Sequence, residues 1–154
     1  MRMRQMEDIR EIMKNDLKRI GIDLDKDNRY QYTSFNPEDM RRKSPYGEFI
    51  FADERGYHYI CYGWRESEHV DETFDHVDDL LYYIYRIKAF SIASYEAGRY
   101  SLEHPDCDWL AVMHSRVLEI LKALGEKYYL RRLKEIEEEQ LQEKRYNEAA
   151  RGKQ

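Results

Sequence analysis

Phe49-Ile50-Phe51-Ala52-Asp53-Glu54-Arg55-Gly56-Tyr57-His58-Tyr59-Ile60-Cys61-Tyr62 is the stretch that decides the architecture of this chain. Two runs rich in aromatic and β-branched residues flank a polar turn ending in glycine, the pattern of a β-hairpin. With Ala52 facing Tyr57, one sheet face carries Phe49, Phe51, His58, Ile60, Tyr62 and Trp64. The other carries Glu48, Ile50, Tyr57, Tyr59 and Cys61. The first face has the larger apolar area and no carboxylate, so it is the expected core face. A third strand over 68–73 would complete a short antiparallel meander within 46–74.

Outward from the hairpin the apolar period changes from two to 3.6. Met3, Met6, Ile9, Ile12, Met13, Leu17 and Ile20 recur at steps of three and four, and Gly21 follows as a stop. That predicts an amphipathic helix over 1–20. Residues 23–45 read as a long irregular connection, with Asn28, Asn36-Pro37 and Ser44-Pro45 as turn formers and Tyr30, Tyr32 and Phe35 to pin it. Downstream, Asp75 suits an N-cap, and Asp78 and Asp79 favour the positive end of a helix over 76–97 that Gly98 ends. Val77, Leu80, Leu81, Ile84, Ile87, Phe90 and Ile92 make that helix apolar on most sides, hence central. Pro105 suits the first position of a further helix with a buried stripe of Trp109, Val112, Met113, Val117, Ile120, Leu121 and Leu124, closed by Gly125 as a left-handed cap.

The last helix, from 126, is expected to bury Tyr129, Leu130, Leu133, Ile136 and Leu141. Its outer side would carry the Arg131–Glu135 and Lys134–Glu138 pairs, with a frayed tail over 146–154. The expected fold is α+β, a short antiparallel meander packed against about four helices, in a single domain over 1–154 whose helical part spans 75–145.

The composition suits such a domain. Of 154 residues, 42% are hydrophobic and 37% charged, which supports a core inside a charged shell and excludes a disordered chain. No run approaches the roughly 18 apolar residues of a membrane span, and the start is not that of a signal peptide. Cys61 and Cys107 lack metal-like or redox-like spacing and fit a reducing cytoplasm.

Chemistry-bearing motifs are sparse. The histidines, His58, His69, His76, His104 and His114, fall on different elements, and none pairs with a second ligand at zinc spacing. Glycine-rich phosphate loops and nucleophile elbows do not occur. The chain is therefore expected to have no catalytic residues, cofactor or metal. Residues 55–62 resemble the RNP1 strand of RNA-recognition motifs, whose aromatics stack on bases. His58 departs from that pattern, the partner strand is missing, and the acidic segment that follows would repel a phosphate backbone. A nucleic-acid-binding module using Tyr57, Tyr59 and Tyr62 is thus the alternative function, while the favoured reading has no nucleic-acid or membrane partner.

Charge is the most unusual feature. Over 66–79, Glu66, Glu68, Asp71, Glu72, Asp75, Asp78 and Asp79 contribute −7 with no Lys or Arg, against a net charge of −5 for the whole chain. A solvated strand and a capped helix start account for part of this. A docking surface for a basic partner is the second reading, since clustered charge steers association and fixes register. The third, a divalent-metal site, would need carboxylates converging from several elements, whereas these lie along one strand and one helix start.

Arg55-Gly56-Tyr57-His58-Tyr59, Asp78-Asp79-Leu80-Leu81-Tyr82-Tyr83-Ile84-Tyr85, Phe90-Ser91-Ile92-Ala93 with Tyr95-Glu96, and Arg132 with Glu135-Ile136 together resemble the immunity protein 63 family of bacterial polymorphic-toxin systems. The likeness covers residues 48–140. It implies an intracellular protein that binds and neutralises a cognate toxin domain, without catalytic residues. Toxin domains that attack nucleic acids present basic clefts, and the acidic segment is the expected surface against a nuclease-type domain of that kind.

Overall fold

The computed structural model describes residues 2–42, 47–63, 65 and 68–153; Ser44-Pro45, Trp64 and Glu66 lie outside them. The fold is α+β, a sheet packed on helices. The chain gathers into two compact units, one ending at Lys88 and one beginning at Ala89.

In the first unit, α1 (Arg2–Lys18) buries Ile9, Met13 and Leu17. It ends where Gly21 adopts φ 77°. The N–H groups of Gly21 and Ile22 donate to the carbonyls of Lys18 and Leu17, a Schellman stop with Ile22 buried beneath it. The connection that follows is more ordered than its sequence suggests. A 3-10 turn (Asn28–Tyr30) buries Tyr30, a two-residue strand β1 (Thr33–Ser34) joins the sheet, and a single helical turn α2 (Asp39–Arg42) follows. The Tyr32 side chain stays 72% exposed, and it is its backbone carbonyl, accepting from the Glu48 N–H, that ties the connection to the sheet.

The hairpin forms as the sequence predicts: β2 (Gly47–Asp53) and β3 (Gly56–Tyr62) pair antiparallel with Ala52 opposite Tyr57. Strand β4 (Val70–Phe74) extends the meander, and β1 adds a parallel edge beside β2, giving the order β1-β2-β3-β4. Gly56, at φ 135°, closes the turn; a Cβ there would sit 2.5 Å from the Phe74 carbonyl oxygen. Backbone strain and a clash with backbone that cannot swing aside act together, so Gly56→Ala should cost about 2 kcal/mol or more in chemical denaturation.

The expected core face is buried, and the opposite face is buried as well. Phe49, Phe51 and Ile60 form a buried core cluster with Met40 and Tyr62 packed against it. The helical layer lies on the opposite face: Tyr59 and Phe74 both pack on Tyr83 of α3 (Val77–Glu103), and Ile50 is fully buried. Helix α3 starts with Leu80 N–H donating to the His76 carbonyl, so His76 holds the cap position one residue past Asp75.

In the second unit α3 runs straight through Gly98 to Glu103, burying Ala89, Ala93 and Ala97, with Phe90 half exposed. Helix α4 (Trp109–Leu124) is capped by Asp108, whose carboxylate accepts from Ala111 N–H, while Pro105 stays in the preceding turn. Of its expected stripe, Met113, Val117, Ile120, Leu121 and Leu124 are buried, while Val112 is half-buried and Trp109, in the first turn, is exposed. Gly125 is extended (φ 171°) and is no left-handed cap; its N–H donates to the Leu121 carbonyl and its own carbonyl accepts from Tyr128 N–H. Helix α5 (Glu126–Arg151) continues through the segment expected to fray. It buries Tyr128 and Arg132, leaving Leu130, Leu133 and Leu141 exposed, because Arg132 is neutralised from its own helix by Glu135 and Glu139. The expected Arg131–Glu135 pair forms at 3.9 Å.

Candidate functional site: an acidic sheet edge

Strand β4 is the open edge of the sheet, and its three central residues, Asp71, Glu72 and Thr73, are exposed. The pleat sends Asp71 and Glu72 to opposite faces: Asp71 sits beside Ile60, Glu72 beside Tyr59 on the helical side. There the Glu72 charge acts on the Tyr83 hydroxyl, which burial first and then that charge push above its ordinary pKa. Asp75 and Asp78 are exposed where the strand turns into α3, and Asp79 is half-buried in the first helical turn.

Glu68 folds back locally, accepting from the Arg65 N–H, and leaves no room for a Cβ at Gly63. The carboxylates therefore line a ribbon along one edge and one helix start, and among the described residues no group of acids, histidines or cysteines gathers in metal-binding geometry. A ribbon of exposed like charge at an edge resists pairing with a neutral strand and attracts a basic surface.

Two buried polar clusters lie behind this edge, and neither was apparent from sequence. Glu48, at the centre of the helical face of the sheet, accepts from Tyr59 Oη (2.6 Å) and Lys88 Nζ (3.0 Å) through Oε2, and from Thr33 Oγ1 (3.0 Å) through Oε1. Lys88 also lies over the Tyr30 ring, 5.0 Å from its centroid. Burial and the Glu48 charge push the Tyr30 hydroxyl up to about 12 and raise Tyr59 and the Cys61 thiol as well. A second pair, Tyr85 Oη to Asp16 at 2.6 Å, ties α3 to α1. A carboxylate at an inward strand position is the one signal that could have announced the first cluster, since it requires partners when buried.

On the opposite face His58, 3% exposed, is clamped at both ring nitrogens. Nε2 meets Asp53 Oδ1 at 2.7 Å, Nδ1 meets Thr73 Oγ1 at 3.1 Å, and the ring stacks on Phe51. The clamp joins the hairpin turn, β3 and the acidic edge strand. Burial opposes ionisation of Asp53, but hydrogen bonds from His58 and the Arg55 N–H, with the Arg55 guanidinium nearby, hold it at about 2. Its folded pKa lies below the ordinary 3.8, so it stabilises the fold above that value and loses its effect as pH falls through about 2. The stability gap between wild type and Asp53→Asn, open at about pH 5, should therefore close on titration to about pH 2.

Tyr59, central to the RNA-binding alternative, is 4% exposed with its hydroxyl bound to Glu48, so its ring is not offered to a base. No helix is long and apolar enough to cross a membrane among the described residues. In comparisons with known proteins, no family model, curated protein or solved structure matches the chain.

Proposed function

We propose that this chain is an immunity protein of the immunity protein 63 type, which binds a cognate toxin domain in the cytoplasm and neutralises it by direct contact. The observation that carries the reading is the exposed ribbon of Asp71, Glu72, Asp75 and Asp78, built on an open sheet edge and braced by Thr73 on His58 from one face and Phe74 on Tyr83 from the other. A rigid acidic edge fits a basic cleft of the kind that nuclease-type toxins turn toward a phosphate backbone. The protein acts as a plug, holding its charges in fixed register and offering no turnover. The alternative of nucleic-acid binding loses its central aromatic to the Glu48 cluster and meets like charge at the same edge. The reading expects a neighbouring gene to encode a toxic domain, and the test is co-expression with that domain. Growth should recover when the folded chain is present; continued arrest despite abundant folded chain would overturn the proposal.

A further inference from the structure

Helix α5 carries a second ordered surface, unrelated to the acidic edge. From Leu130, steps of four and three residues lead to Lys134, Glu137, Leu141, Lys144 and Glu148, the spacing of a coiled-coil seam. All six are exposed, Leu130 to 54% and Leu141 to 51%, and they lie across the helix from buried Tyr128 and Arg132. Residues 137–151 are exposed on every side, and an isolated helix of about 15 residues is marginal in water.

In reverse order, Leu130, Lys134, Glu137 and Leu141 are their own complement. We propose that α5 pairs antiparallel with α5 of a second copy, setting Leu130 against the partner's Leu141 and Lys134 against the partner's Glu137, each contact made twice by the two-fold symmetry. In the same register Arg131 flanks the partner's Glu138. A parallel pair would stack Lys134 on Lys134 and Glu137 on Glu137, so charge selects the antiparallel arrangement. Lys127 meets the partner's Lys144 at the two ends, where long side chains reach solvent.

This surface makes its prediction independently of toxin binding. Sedimentation across a concentration series should show the full-length chain passing from monomer to dimer. Lys134→Glu sets carboxylate against carboxylate and should weaken the dimer by about tenfold or more. Adding Glu137→Lys to that variant restores opposite charges at both sites and should return the affinity to within a few-fold of wild type. Both positions are exposed on a helix, so neither change threatens the fold. A wild-type chain that stays monomeric at the highest concentration would overturn the proposal, as would a double variant that dimerises no better than the single one.

Discussion

Glu48→Ala should lower the unfolding free energy by about 3–5 kcal/mol, the range for removing one partner of a buried ion pair. The loss has three sources. Lys88 keeps its charge with its side chain only 21% exposed, the Tyr59 hydroxyl loses its 2.6 Å acceptor, and Thr33 loses the bond that holds β1 against β2. A buried donor without an acceptor costs about 1–3 kcal/mol, so the sum reaches that range even with partial solvent entry.

The companion change, Lys88→Met, should cost less, because Glu48 retains two hydroxyl donors. The double variant should cost less than the two single changes added together. Urea denaturation at neutral pH measures all three. A Glu48→Ala cost below about 1 kcal/mol would show that water screens the cluster as it does a surface pair.

Replacing Asp71, Glu72 and Asp75 together by lysine should weaken toxin binding by about 100-fold or more at low salt, mostly through slower association. The ribbon lies at the sheet rim, where like-charge contact with a basic cleft is costly and long-range steering is reversed. Screening at high salt should narrow the gap between variant and wild type, since the Debye length shrinks from about 10 Å at 0.1 M to about 3 Å at 1 M. The three side chains are exposed, so the unfolding midpoint should barely move. Equal affinities at low salt would remove the ribbon from the interface.

Those parts of the fold that are legible in the sequence follow from local rules in which a single effect governs the outcome. Alternation around a tight turn sets the Ala52–Tyr57 register, and an unbroken 3.6 period marks the α4 stripe. Expectation and structure part where a residue's surroundings outweigh its type. Gly98 looks like a stop but α3 runs through it, and Gly125 does end α4 but in extended geometry, whereas only Gly21 takes the positive φ of a Schellman stop. Glu48, read by residue type alone, disqualifies its sheet face, yet Lys88, forty residues away, makes burial of that carboxylate tolerable. On α5, burial is shifted onto Tyr128 and Arg132, because intrahelical glutamates satisfy the arginine. Strand β1 leaves no trace in the sequence because two residues carry no period, and its pairing depends on β2. Of the acidic edge, the charge run and its place on the third, outer strand are readable; the His58 clamp that ties that strand to the hairpin turn is not.

The most direct measurement of the proposed role is titration of the purified chain into the toxin domain that this reading expects a neighbouring gene to encode, following the activity of that domain. A plug predicts activity falling linearly to zero at equimolar ratio, with affinity that declines as salt rises. Undiminished toxin activity in the presence of excess folded chain would contradict it.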